Sequence, residues 1–224
     1  MLMIKKISLS LCSFLGLLFL AFILWASSMG SPTSGKPIGK YEHPRAALMI
    51  IDIQEELTGS LSAPPYPYKN SAELVAAVNA AIHRADFMHM PVVVVEQELS
   101  GVLGTLWSKM FLGSRLMRGT PGAKTDARVV APMAITFSKP KGDAFANPDL
   151  DRCLRINRIN ELYIAGVDAE FCVMLTARGA VNRGYKVTVI KDGTGLMNDK
   201  KWDEVIFKCK KYGIAMIARL PEPY

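Results

Sequence analysis

From Arg45 onward the chain alternates short runs of uninterrupted apolar residues with longer amphipathic stretches. The run AALMIID at residues 46–52 predicts a strand buried on both faces. Residues 71–88 have helical spacing, with Leu74, Val75, Val78, Ile82 and Ala85 on one face and Asn70 or Ser71 as the cap. Pro91 then opens VVVV, a β-branched run suited to the middle of a sheet. No period holds over residues 99–128, which read as irregular. Beyond them the pattern predicts strands at 134–137, 161–167, 186–190 and 214–218, and helices at 148–156, 172–183 and 199–212. Strands that are apolar throughout, each separated by a helix, imply an α/β fold, a doubly wound parallel sheet of about six strands with helices on both faces. Ligands of such sheets gather beyond the carboxyl ends of the strands, which filters the candidate residues.

The first 44 residues follow a different pattern. Lys5 and Lys6 precede ISLSLCSFLGLLFLAFILWA, residues 7–26, in which no residue is charged. A helix of about 20 apolar residues spans a bilayer, whereas the apolar part of a cleaved signal usually runs about 7 to 15, so length favours an uncleaved anchor. The small residues Ala26, Ser27 and Ser28 leave cleavage open. Basic residues before the span tend to stay in the cytoplasm, which puts the rest of the chain on the non-cytoplasmic side, periplasmic or extracellular, or secreted if the segment is cut. The expected organisation is therefore an anchor or signal at 1–29, a flexible polar linker at 30–44 and one α/β domain at 45–224.

Charge and cysteine content narrow the function classes. The net charge is +7, but four of the 27 basic residues lie in the first 40 positions, which hold no acid; the remaining 23 face 20 acidic groups. Lys208, Lys210 and Lys211 beside Tyr212 read as the solvated face of a late helix, so no nucleic-acid partner is expected. None of the four cysteines has metal-site or C-x-x-C spacing. Cys12 falls inside the apolar run, and Cys153 and Cys209 lie on predicted helices, where they read as semi-buried thiols or, outside the cytoplasm, as a pair.

Three residues pass the strand-end filter. Asp52 ends the first strand, as a catalytic acid or as a simple cap. Lys139 follows the strand ITFS, with Lys141 as its rival, and a lysine at a strand end is usually a solvated charge. Cys172 opens a helix, where the macrodipole favours a thiolate and free amides can bind an oxyanion, although a lone cysteine is more often a small buried hydrophobe. An acid, a lysine and a thiol offered to one edge form a more specific pattern than any one of them.

The stretches ALMIIDIQEEL, KPKGDAFANPDL and LYIAGVDAEFCVMLTARGAVNRGYKVTVIKDG, in this order, resemble the isochorismatase-like hydrolase superfamily, the cysteine hydrolases that include nicotinamidases, carbamoylsarcosine amidases and ureidoacrylate amidases. The resemblance runs from about Ala46 to Ala218. It implies Asp52 as base and proton shuttle, Lys139 rather than Lys141 as the cation that stabilises the thiolate and positions the acid, and Cys172 as the nucleophile forming an acyl-enzyme. It also implies a cis peptide between Val167 and Asp168, with the amides of Asp168 and Cys172 as oxyanion hole. The Asp168 carboxylate then either disfavours anionic substrates or caps the helix, the cap being preferred.

Departures from the family pattern matter too. Nicotinamidases resemble this chain but carry a metal site of aspartate and histidines after the second strand; here that stretch is EQELSGVLGTLW, without histidine, and neither a metal nor another cofactor is expected. Phe171, Trp107, Tyr66 and Tyr68 are candidates to line the pocket, and Glu96 and Glu98 to orient a substrate amine or pair with Lys139. The partners implied are a small-molecule substrate, the membrane through the N-terminal helix and, as in other family members, further copies in a homo-oligomer. The leading expectation is a hydrolase of small amide-like carbon–nitrogen bonds. Its rivals are a hydrolase of an ether or ester on the same fold, and a membrane-tethered binding protein that keeps the triad without using it.

Overall fold

The structure is a computed structural model that describes residues 16–17, 20–62, 68 and 70–222. Six strands form one parallel sheet: β1 (Arg45–Ile51), β2 (Val92–Gln97), β3 (Ile135–Lys139), β4 (Ile159–Gly166), β5 (Lys186–Thr194) and β6 (Ala215–Ile217). The spatial order is β3-β2-β1-β4-β5-β6, parallel at every pairing. Successive side chains of a strand point to opposite faces, and β1 shows this division. Ala47, Met49 and Ile51 pack into a core shared with helices α3 (Pro148–Ile156), α4 (Cys172–Val181) and α5 (Trp202–Lys211). Leu48 and Ile50 pack on the other face beneath α1 (Ser71–Phe87). Leu48, Met49, Ile50 and Ile51 are all fully buried, and burial of each side chain stabilises the fold by roughly 1.5–3 kcal/mol.

One element departs from the expected pattern. Within the stretch read as irregular lies a three-turn helix, α2 (Gly101–Phe111), whose buried residues are Gly104 and Ser108. Its large apolar side chains, Val102, Met110 and Phe111 among them, are exposed. Its pattern is inverted, apolar outward and small residues inward, so a search for an inward apolar stripe passes over it.

Residues 20–29 are helical, and Met29 is buried. Residues 30–44 read from the sequence as a flexible linker, yet much of this stretch is tied to the domain. The Thr33 amide and hydroxyl donate to Asp143 Oδ2 at 2.6 and 2.7 Å. Arg183 donates to the carbonyls of Thr33 and Ser34, Arg155 to those of Lys36 and Pro37, and the Ile38 amide donates to the Arg183 carbonyl. Main-chain carbonyls of this stretch thus serve as acceptors for two arginines. Most of the apolar run at 7–26, with Lys5, Lys6 and Cys12, lies outside the described residues, as does Tyr66. Among the described residues no helix is long and apolar enough to cross a membrane.

The strand order reverses between β1 and β4, so the chain leaves these two neighbours toward opposite flanks and a crevice opens beyond their carboxyl ends. Gly166 ends β4 at φ +129°, and a Cβ there would lie 2.0 Å from the Ile51 carbonyl oxygen. Only glycine lets the two strand ends approach this closely at the switch point.

Candidate active site

Three strand ends converge on this crevice. Asp52 follows β1 with φ 54°, in the left-handed region that aspartate tolerates better than most residues. Lys139 is the last residue of β3, and Cys172 the first of α4. Lys139 is fully buried and Asp52 nearly so, and Lys139 Nζ stands 2.9 Å from Asp52 Oδ2. The ammonium also donates to Gln97 Oε1 at 2.6 Å and to the Lys141 carbonyl at 3.2 Å. Asp52 Oδ1 is buried without a hydrogen-bond partner in the fold. The Cys172 thiol is close enough to interact with both carboxylate and ammonium. The structure therefore brings the three sequence candidates together. Lys141, the rival, points elsewhere, its Nζ donating to Ser28 Oγ at 2.8 Å.

Charge balance sets the resting state. Burial pushes the Asp52 carboxyl above its ordinary range, with Lys139 opposing the shift. Burial works against the Lys139 ammonium, but the charges of Asp52 and Cys172 outweigh it and hold its pKa up. Burial pushes the Cys172 thiol up to about 12; Lys139 draws it down and Asp52 pushes it further up. One cation cannot neutralise two buried anions, so the balanced state is an ionised Asp52, a charged Lys139 and a neutral thiol. The helix N-terminus that favours a thiolate is present, and burial beside a carboxylate works against it.

The turn into α4 prepares a second feature. The Val167–Asp168 peptide is cis. Asp168 Oδ1 accepts from the Glu170 amide at 2.8 Å, and Oδ2 accepts from the Met197 amide at 2.8 Å and the Tyr68 hydroxyl at 3.4 Å. Its carboxylate thus ties the turn that precedes α4 and does not cap the helix, which starts after Phe171 with no side-chain cap bond. The Val173 and Phe171 amides donate to the Asp168 carbonyl, whereas among the described residues the amides of Asp168 and Cys172 have no backbone acceptor.

Asp52 and Cys172 line a cavity of about 510 Å³ together with Trp107, Phe171 and Tyr68, three of the aromatic candidates. A second cavity of similar size, about 530 Å³, lies between α1 and the end of β5 and contains none of the three reactive groups. Chemistry therefore selects the first. Glu96, a candidate for the pocket, is not among its lining residues. Its carboxylate accepts from Lys124 Nζ at 3.2 Å and from the Thr125 amide at 2.8 Å, while Glu98 takes Lys124 at 2.8 Å and Arg118 at 3.3 Å. Neither acid pairs with Lys139, because the β2 residue whose side chain reaches it is Gln97, between them. Among the described residues no group of three His, Cys, Asp or Glu side chains could hold a metal ion.

Sequence reasoning missed two glutamines and one wall. Gln97 holds the Lys139 ammonium and also donates from Nε2 to the Lys139 carbonyl at 3.0 Å. Gln54 clamps Gln97, accepting from its amide at 2.9 Å and donating to its carbonyl at 3.1 Å. The D-x-Q spacing after β1 was the signal for Gln54; Gln97 stood hidden between two acids. The wall is the N-terminal segment: Ala26, Ser27, Met29 and Gly30 line the cavity. Trp25 meets Trp107 edge to face at 5.8 Å, and the Gly142 amide donates to the Met29 carbonyl.

Comparison with known proteins sets these observations in context. The family model described as Isochorismatase domain matches residues 46–219. The chain is similar to an uncharacterized isochorismatase family protein of Bacillus subtilis (strain 168), at 36% identity over 69 residues, 31% of this chain and 38% of that protein. It is also similar to a nicotinamidase of Saccharomyces cerevisiae, at 40% identity over 67 residues, 30% of each chain. Both matches thus span well under half of the relative's length. Among solved structures, N-carbamoylsarcosine amidase from Thermoplasma acidophilum superposes with a TM-score of 0.65 at 24% identity, over 77% of this chain and 95% of that one, a likeness of fold.

Proposed function

The chain belongs to the isochorismatase family, and from that premise we propose that it is a hydrolase of small carbon–nitrogen amide bonds, working through a covalent intermediate on Cys172. The observation that carries this reading is the buried Lys139–Asp52 pair at 2.9 Å beside a thiol, with Asp52 and Cys172 opening on one cavity. A neutral thiol beside a carboxylate with an unpartnered oxygen suits a base that acts only as the bond forms. Asp52 takes the thiol proton while Sγ bonds to the substrate carbonyl carbon, and the amides of Asp168 and Cys172 receive the oxyanion. Lys139 balances the charge throughout. The proton passes from Asp52 to the amide nitrogen, the C–N bond breaks, and ammonia or an amine leaves a thioester. Water, deprotonated by Asp52, attacks the thioester; the C–S bond breaks and the thiol recovers its proton. The names of a nicotinamidase and a carbamoylsarcosine amidase among similar proteins support amides as the substrate class.

The test is ammonia release from a panel of primary amides, with ester and ether analogues alongside, and intact mass after trapping with an aldehyde analogue. A mass shift lost in Cys172→Ala is expected; turnover that survives this substitution would refute the nucleophile. We also propose that the apolar run at residues 7–26 tethers the domain to a membrane with the domain on the non-cytoplasmic side, a reading supported by its length and by Lys5 and Lys6 before it. Recovery of the full chain in the soluble fraction would overturn the tether, and inaccessibility to protease added from the non-cytoplasmic side would overturn the orientation.

A further inference from the structure

We infer that the cavity takes an amide whose acyl group is an uncharged hydrocarbon body, and that the N-terminal segment forms part of the wall that selects it. The inference rests on the amide-hydrolase reading for the reacting bond and on the cavity itself for the body.

Away from the reacting groups the wall is apolar, with Leu57, Leu99, Trp107, Leu175 and Met29 facing the space. Two of its polar side chains are already committed. Gln97 gives its oxygen to the Lys139 ammonium and its nitrogen to the Lys139 carbonyl. Both oxygens of Asp168 accept bonds from the fold. Among the described residues no lysine, arginine or histidine lines the cavity, and a substrate carboxylate or phosphate set against the apolar side chains just named would give up its hydration with no bond in return. An ammonium fares no better, because Asp52 is balanced by Lys139 and both oxygens of Asp168 already hold amides of the fold.

Size and mouth agree with this chemistry. About 510 Å³ is the scale of a pocket for a drug-sized molecule, far more than a minimal amide fills. Phe111 and Phe171 both line the cavity while staying 55% and 56% exposed, so the entrance is framed by aromatic rings. Exposed Val102 on α2 and Leu24 on the N-terminal helix add apolar surface to the two elements that wall the cavity. The N-terminal part is built in: a Cβ at Gly142 would meet Leu175 at 2.6 Å and the Met29 carbonyl at 3.0 Å, so Met29, the Lys139 loop and α4 touch beside Cys172. The acyl body is the part this wall must hold, since it stays bound while the nitrogen departs.

The experiment uses the full chain in two arms. In the wild type, kcat/KM is measured for acetamide, butyramide and hexanamide, and for succinamate and glycinamide, which carry an acid and an amine. Each methylene that enters should raise kcat/KM about fourfold, and the charged amides should fall at least about tenfold below butyramide. In Cys172→Ala, calorimetric titration with the same compounds reads the cavity without chemistry, and the same ranking is expected. Charged amides that bind or react as well as butyramide, or a flat chain-length series in either arm, would overturn the inference. Should no amide turn over while Cys172→Ala still ranks the ligands this way, the hydrolase reading falls and the cavity assignment stands. Ala26→Trp should lower the hexanamide-to-acetamide ratio at least about fivefold; an unchanged ratio would remove the N-terminal segment from the wall.

Discussion

Replacing Lys139 by methionine tests the charge balance on which the site depends. The substitution keeps the volume of a fully buried side chain but leaves Asp52 without its cation, and leaves Gln97 Oε1 without its donor. Breaking a buried pair by removing one partner costs about 3–5 kcal/mol. Asp52 can limit this cost by taking up a proton, so the penalty depends on pH. Burial already raises the Asp52 pKa above its ordinary value of 3.8, with Lys139 opposing the rise; without Lys139 it climbs further. A group whose folded pKa is raised above its unfolded value binds more protons when folded, so the stability it confers is present at low pH and lost as pH rises. Lys139's own raised pKa acts above 10.5 and adds only a constant in the range of interest. The stability deficit of Lys139→Met relative to wild type should therefore be smallest at acid pH, where Asp52 is protonated, and grow as pH rises by up to about 1.4 kcal/mol per pH unit, towards the about 3–5 kcal/mol of a broken buried pair. Urea unfolding of both proteins at intervals across this range measures it. A deficit that stays flat with pH would mean that Asp52 and Lys139 do not share a charge pair, and the catalytic reading would lose its base.

Three further outcomes follow from the same geometry. Asp52→Asn should lower kcat in the ammonia-release assay by about 10²–10⁴-fold, the usual contribution of a general base; a near-normal rate would mean the proton goes elsewhere. With its thiol pushed up to about 12, Cys172 in the resting protein should react with iodoacetamide at neutral pH more slowly than free cysteine and faster as pH rises, read by peptide mass; a rate already at its plateau below neutral pH would restore the resting thiolate. Gly166→Ala, which brings a Cβ to 2.0 Å from the Ile51 carbonyl at φ +129°, should destabilise by more than about 3 kcal/mol in denaturant unfolding, and native-like stability would show that the strand ends can part.

What the sequence shows and what it hides divide along physical lines. The central strands β1 and β2 stand out because both faces of the sheet are covered there, so each reads as an apolar run, and the residues at the carboxyl ends of the strands follow from parallel topology. Asp52, Lys139 and Cys172 were legible for that reason. α2 was not, since it presents Val102, Met110 and Phe111 outward and buries Gly104 and Ser108. Glu96 was placed in the pocket on strand position alone; which way its carboxylate turned was decided by Lys124, a residue 28 positions away in a loop. The attachment of residues 29–38 depends on arginines at 155 and 183 that no local pattern connects to it. The thiol's protonation state follows from net charge in a closed space, which no linear motif encodes.

That closed space explains why the site is built as it is. A buried lysine–aspartate pair is a poor source of stability, because the loss of hydration nearly cancels the attraction, and apolar replacements of both partners are often neutral or stabilising. Here the fold commits a strand end, Gln97, Gln54 and a backbone carbonyl to holding one ammonium. Such an arrangement makes sense where the cation must stay fixed while negative charge moves from carboxylate to sulfur and on to the substrate oxygen. The apolar cavity serves the same end, since excluding water strengthens each of these interactions at the moment charge shifts. A substrate that carried its own charge into this space would upset the balance, whereas a neutral hydrocarbon body would complete the enclosure. The double replacement Lys139→Met with Asp52→Leu should therefore recover most of the stability lost in Lys139→Met while remaining inactive, because it removes the uncompensated carboxylate along with the chemistry.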